Sequence, residues 1–143
     1  MTLAPPRGRV LVVEDDDVTR DLFAEILESE GYEVAAEPEG RAALVRTRSW
    51  RPDLIILDLV MPGVDGWYFR ALQRQIPRLR DVPVIVISAR RPPWREEDML
   101  EPTAFLAKPF DLDAFVSLVD RTIKAERAAS EPTESHFEVA GPR

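Results

Sequence analysis

The chain has 143 residues, a net charge of −7 and 45% hydrophobic residues, which suits one domain with a packed core and excludes a nucleic-acid binder built on a basic footprint. It has no Cys and one His, His136 in a polar stretch, so disulfides, thiolate metal sites, Cys nucleophiles and His-based triads are excluded. No apolar run approaches a membrane span and the first residues lack a signal-like apolar region, so a cytoplasmic location is expected.

The Pro-rich start, 1–8, is expected to be disordered. The run at 9–13 is apolar without alternation, as in a strand buried on both faces of a parallel sheet. A helix is expected at 17–30. Val18, Leu22, Ile26 and Phe23, Leu27 recur there at spacings of four, Asp16 or Asp17 can cap the start, and Gly31 stands at the end. A weaker strand at 32–36 leads to a helix at 38–50, which carries Ala42, Ala43 and Val45 and breaks before Pro52. The next strand is 53–57, and a helix with Trp67, Ala71, Leu72, Ile76 and Leu79 fills 64–79. A strand at 84–87 follows. Pro92, Pro93 and Pro102 then leave only about two turns, 94–101, for a fourth helix that is expected to be short or deformed. The last strand is 104–107. A final helix at 111–126 starts at an Asp111 cap and buries Leu112, Phe115, Val116, Val119 and Ile123. The polar segment 128–143 has no periodicity and is expected to be a disordered tail, which leaves 9–127 as the domain. Strict alternation of strand and helix means a doubly wound α/β fold with a five-stranded parallel sheet and right-handed crossovers.

In such a sheet, ligands bind beyond the carboxyl ends of the strands. Strand one is followed by Glu14, Asp15 and Asp16, strand three by Asp58, strand four by Ser88 and strand five by Lys108. Each has an ordinary reading: Asp16 and Asp17 as caps, Ser88 as a turn former, Lys108 as a solvated surface charge. Together they send carboxylates, a hydroxyl and an ammonium to one edge. Among 19 basic residues only Lys108 and Lys124 are not Arg, so a Lys at this edge suggests a need for a compact point charge. Two carboxylates about 4 Å apart repel by roughly 4 kcal/mol at an effective dielectric near 20. Converging acids therefore raise their own pKa values or take up a cation. An oxygen-only site suits Mg²⁺, and a carboxylate beside that ion can attack phosphorus to give an acyl phosphate.

Four segments, Val10-Leu-Val-Val-Glu-Asp-Asp16, Leu57-Asp-Leu-Val-Met-Pro-Gly-Val-Asp-Gly66, Val84-Ile-Val-Ile-Ser-Ala89 and Phe105-Leu-Ala-Lys-Pro-Phe110, resemble the receiver domain of bacterial two-component response regulators. The resemblance runs from about Arg9 to Glu126 and implies a flavodoxin-like strand order of 2-1-3-4-5. It implies that Asp58 is the phosphoacceptor and Asp15 a direct Mg²⁺ ligand. Asp58 and the Val60 carbonyl would be further ligands, and Glu14 would act through water. Lys108, before a cis bond to Pro109, would pair with the phosphoryl group, while Ser88 and Phe105 would form the switch pair. Two departures from the family pattern fall together: a short interval from Ser88 to Lys108, and Pro102-Thr103-Ala104 in place of the usual Gly-Ala before the aromatic residue.

The implied function is a phosphorylatable switch. It takes a phosphoryl group from a sensor histidine kinase or a histidine phosphotransfer protein in a phosphorelay, then shifts conformation to alter protein–protein binding. It is not an enzyme beyond its own phosphorylation and autodephosphorylation. Too little chain follows Glu126 for a DNA-binding module, so a stand-alone receiver is expected, acting on a downstream protein target without DNA or membrane contact. It would be a monomer or a weak phosphorylation-dependent dimer. One alternative is a receiver-like interaction module that works without phosphorylation. Another is an aspartyl-phosphate phosphatase, which needs an acid two positions after its nucleophile, where Val60 stands. Arg70, Arg74 and Arg78 recur at spacings of four, with Arg90, Arg91 and Arg95 possible neighbours. They read either as a solvated face or as a surface for an acidic partner. Val60 is also apolar where many relatives carry a polar side chain, so slower or unassisted hydrolysis of the acyl phosphate is expected. Val60→Asn is expected to shorten the acyl-phosphate half-life, measured by the decay of labelled protein after donor removal; an unchanged half-life would contradict this.

Overall fold

Side chains of successive strand residues point to opposite faces, so an all-apolar strand feeds two cores at once. In β1 (Arg9–Val13), Leu11 and Val13 enter one buried cluster with Ile55, Leu57, Phe69, Leu79, Val84 and Val86. Val10 and Val12 enter the other with Phe23, Leu27, Ile56, Ile85, Phe115 and Val119. The computed structural model describes residues 5–59, 66–88 and 103–130. Within them the order continues with α1 (Asp17–Ser29), β2 (Glu33–Glu37), α2 (Gly40–Arg46), β3 (Leu54–Asp58), α3 (Gly66–Gln75), β4 (Val84–Ser88), β5 (Ala104–Ala107) and α4 (Leu112–Ser130). The five strands form one parallel sheet in the order β2-β1-β3-β4-β5, as the family resemblance implies. β3 and β4 are buried along their whole length, whereas the edge strands β2 and β5 are only partly covered. The fourth helix expected at 94–101 lies outside the described residues, as does the Arg90, Arg91, Arg95 group.

The structure corrects several expectations. Of the two apolar rows on α1, Phe23 and Leu27 face the sheet, while Val18 is 77% and Leu22 42% exposed. On the last helix Leu112 is likewise exposed. The second helix ends at Arg46 rather than at Trp50, where the chain tightens into three-residue turns and the Thr47 hydroxyl donates to the Leu44 carbonyl. The last helix runs to Ser130, past the boundary at 127, because Lys124, Ala125, Glu126, Arg127 and Ala128 are strong helix formers even after the apolar period stops. At the other end, Arg7 and Gly8 are not loose. The Arg7 amide donates to the Gly31 carbonyl, the Gly8 carbonyl accepts from Glu33, and the Arg7 guanidinium stacks on the Tyr32 ring. Tyr32 in turn donates its hydroxyl to Asp120, and burial first, then that carboxylate, pushes the phenol well above its usual range.

The arginine row on α3 is not one exposed face. Arg70 is buried and donates to the side-chain oxygen of Gln73, and Arg78 lies beyond the helix end, donating to the Thr47 carbonyl. Neither a solvated stripe nor a docking stripe of three guanidinium groups is present. The buried face of α3 is Phe69, Arg70 and Gln73, not Ala71. Gln73 is fully buried, and its amide donates to the carbonyls of Leu79 and Val82, which fastens the connection into β4. Gln73→Leu leaves both carbonyls without that donor. It is expected to cost about 2–4 kcal/mol, read as a lower urea midpoint at unchanged m-value.

Candidate functional site

Parallel strands in register end along one edge, so the residues just past them meet. Val13 pairs with Leu57, Asp58 with Ile87 and Ser88 with Ala107, which brings Glu14, Asp58, Ser88 and Lys108 to adjacent strand ends. Glu14, Asp15 and Asp58 each offer a carboxylate oxygen within 4.8 Å of the others. Glu14 and Asp58 are buried, and Asp15 is exposed. The Lys108 ammonium enters this group from β5. It donates to Glu14 Oε1 at 3.0 Å and lies 3.7 Å from Asp58 Oδ2. The Lys108–Pro109 bond is cis, as the resemblance implies. The Lys108 amide donates to the Ser88 carbonyl, and Ser88 is buried. Phe105, at the middle of β5, is half-buried and packs against the cluster that holds Leu11 and Leu57. Every expected site residue except Val60 is therefore gathered at one edge or on the strand leading to it, and Val60 lies outside the described residues.

The local chain explains the placement. Asp16 is the α1 cap: its carboxylate accepts from the Thr19 amide at 2.8 Å and from the Thr19 hydroxyl at 2.6 Å, and these bonds hold its carboxyl below the ordinary value. That leaves Glu14 and Asp15 to face the cleft. The other Glu14 oxygen accepts from the Asp16 amide at 3.2 Å, folding the side chain back over the turn. Burial pushes the Glu14 carboxyl up, and the neighbouring Asp58 adds to it, against the Asp16 amide and Lys108. Burial alone would pull Lys108 down, but its bond to Glu14 and the charges of Asp58, Glu14 and Asp15 outweigh it, so the ammonium is held above its usual value. Among the described residues, the one ammonium of Lys108 stands against three acids and leaves the site short of positive charge. The donors are all oxygen, and their spacing fits a hard divalent ion such as Mg²⁺.

Three supports were not singled out from the sequence. A Cβ on Gly66 would stand 2.5 Å from the Asp58 carbonyl oxygen and 2.7 Å from Leu59 Cα, so only glycine lets α3 start this close to the end of β3. Phe110 stacks with Phe23 at 5.7 Å between ring centres and meets Phe115 at a tilt at 5.6 Å, pinning the Lys108 loop between α1 and α4. Arg20 donates to the Glu14 carbonyl at 3.0 Å. Gly66 stood in a motif already quoted, where its place at a helix start was the available signal. The aromatic contacts span three elements and carry no local signature. Beside the site, Thr19, Leu22, Phe23, Lys108, Pro109, Phe110 and Leu112 line an open apolar groove of about 440 Å³.

Because the Glu14 carboxyl sits above its ordinary range, its ionisation opposes folding. That penalty is absent at low pH and grows as the pH rises through the range. Glu14→Gln is expected to raise the urea midpoint in EDTA at neutral pH, with a gain that shrinks as the pH falls. Saturating Mg²⁺ should reverse the order, since the wild-type site gains more from the ion. An amide variant no more stable than wild type in EDTA would contradict the charge argument.

Comparison with known proteins agrees with this geometry. The model of the response regulator receiver domain matches residues 10–120. The chain is 38% identical over 125 residues to the transcriptional regulatory protein CseB of Streptomyces avermitilis, covering 86% of this chain and 52% of that protein. It thus spans about half the length of that relative. It is 31% identical to the polar-differentiation response regulator DivK of Brucella anthropi over 77% of this chain and 91% of that one. Among solved structures, chemotaxis protein CheY4 of Vibrio cholerae superimposes with a TM-score of 0.76 at 28% identity, covering 80% of this chain and 98% of that chain. The receiver domain of sensor histidine kinase PA1611 from Pseudomonas aeruginosa, solved with a magnesium ion in its active-site cleft, superimposes with a TM-score of 0.74 at 28% identity, covering 82% of this chain and 98% of that chain. No helix among the described residues is long and apolar enough to cross a membrane. The carboxylate-and-lysine edge, the sheet order and the matched length lead to one conclusion: the chain belongs to the response regulator receiver domain family.

Proposed function

We propose that the protein is a phosphorylatable switch whose acceptor is Asp58. The observation that carries this reading is the convergence of Glu14, Asp15 and Asp58 within 4.8 Å, with the Lys108 ammonium among them. Asp15 and Asp58 would hold Mg²⁺ directly with the Val60 carbonyl, and Glu14 through water. That ion supplies charge neutralisation for the transferring phosphoryl oxygens. An Asp58 carboxylate oxygen attacks phosphorus, the P–N bond to a donor imidazole breaks, and the imidazole leaves with that electron pair. Lys108 turns from Glu14 toward the new phosphoryl oxygens, which carry more charge than the carboxylate it now holds. The Ser88 hydroxyl follows as a hydrogen-bond donor, and Phe105, half-buried on the neighbouring strand, moves into the space it leaves. This makes the pair a two-state element that the added charge biases.

The donor is a sensor histidine kinase or a histidine phosphotransfer protein, working in the cytoplasm, and the output is altered binding to a downstream protein. The donor histidine must come within bonding distance of Asp58, so its surface covers the rim of the site. Leu22 and Leu112, exposed in the lining of the apolar groove, give that surface something to bury. With acetyl phosphate and Mg²⁺, the intact protein is expected to gain the mass of one phosphoryl group, and Asp58→Asn to gain none. No adduct on the wild-type chain would sink the reading, and steady phosphate release from unrelated esters would point instead to a phosphatase.

A further inference from the structure

Four consecutive acids, Glu14 to Asp17, run from the end of β1 into the first residue of α1, and mutual repulsion gives such a turn little reason to hold one shape. Arg20, one turn into α1, has only 16% of its side chain exposed, low for an arginine. One guanidinium nitrogen donates to the Glu14 carbonyl at 3.0 Å, and the other donates to Asp17 Oδ1 at 2.5 Å. The Arg20 amide also donates to the Asp16 carbonyl at 2.8 Å, so the side chain is rooted in the turn that it grips. The Glu14 carbonyl belongs to the peptide unit that joins Glu14 to Asp15. That unit is planar, so fixing its oxygen fixes ψ of Glu14 and φ of Asp15 together. Asp15 is exposed, and packing does not set its direction; the backbone beneath it must.

We propose that Arg20 is a positioning residue for the divalent cation: by gripping the Glu14–Asp15 peptide it holds the carboxylates of both residues in the arrangement that binds the ion. This rests on the reading of Glu14, Asp15 and Asp58 as the cation site. A simple charge argument predicts the opposite of what positioning predicts. Arg20 is a cation beside acids, so removing it makes the site more negative and should tighten Mg²⁺ binding.

The sign of the change decides between them. Mg²⁺ binding is measured by calorimetry on the unphosphorylated full chain, and Mn²⁺ binding by the loss of its free-ion electron paramagnetic resonance signal. Arg20→Met is expected to weaken both by about tenfold or more, the usual cost of losing a group that orients a ligand. At saturating Mg²⁺ its phosphorylation rate with acetyl phosphate should return close to the wild-type rate, which a general loss of structure would not allow. Arg20→Lys keeps the charge but not the two-pronged fork, so its affinity should also fall below wild type, and it serves where the Met variant does not fold. Unchanged or tighter binding in either folded variant overturns the proposal. Failure of the wild-type chain to bind either ion overturns the underlying site reading as well.

Discussion

The contact between Lys108 and the buried carboxylate of Glu14 is the interaction around which the rest is arranged, because it holds one cation against three acids that share less than 5 Å of space. Two of those acids are buried, so water cannot disperse their charge, and burial together with the neighbouring Asp58 pushes the Glu14 carboxyl up. Lys108 relieves part of this and sits nearer Glu14 than Asp58. The site is thus held together and left incomplete by the same arithmetic of charge. The spacing of the three carboxylates suits a hard divalent ion.

Holding unfavourable charges together requires a frame that cannot relax them apart. Three central strands supply it, buried on both faces and locked in parallel register, so their carboxyl ends cannot shift relative to one another without disturbing two cores. Gly66 extends the same tightness to the start of α3. The Lys108 loop follows a partly covered edge strand, and a cluster of the Phe23, Phe110 and Phe115 rings gives it the anchorage that the strand alone does not. Helix α1 therefore serves both halves of the site. Its first turns hold the acidic loop through Asp16, Thr19 and Arg20, and Phe23 supports the lysine loop.

The exposed residues of α1 fit this division. Val18 and Leu22 could have joined the core row by spacing alone, yet both lie outside it, and Leu22 lines the groove next to Lys108. Leu22 and Leu112 thus keep an apolar groove beside the lysine of a charged site.

Much of this was legible in the residues alone. Unbroken apolar runs identified the buried strands, their alternation with helical periods implied a parallel sheet, and a parallel sheet collects the residues after its strands at one edge. Glu14, Asp58, Ser88 and Lys108 follow from that chain of inference because each step depends on local pattern and on topology rules that hold for any such sheet. What the residues could not say is which atoms meet. Glu14 and Lys108 are 94 positions apart, and their contact depends on strand register and side-chain length together. Arg70 shares its spacing with exposed arginines, yet Gln73 and the connection into β4 draw it inside. Periodicity reports that a helix has faces, but only packing against the sheet decides which face is buried, because that choice is made by neighbours distant in the chain.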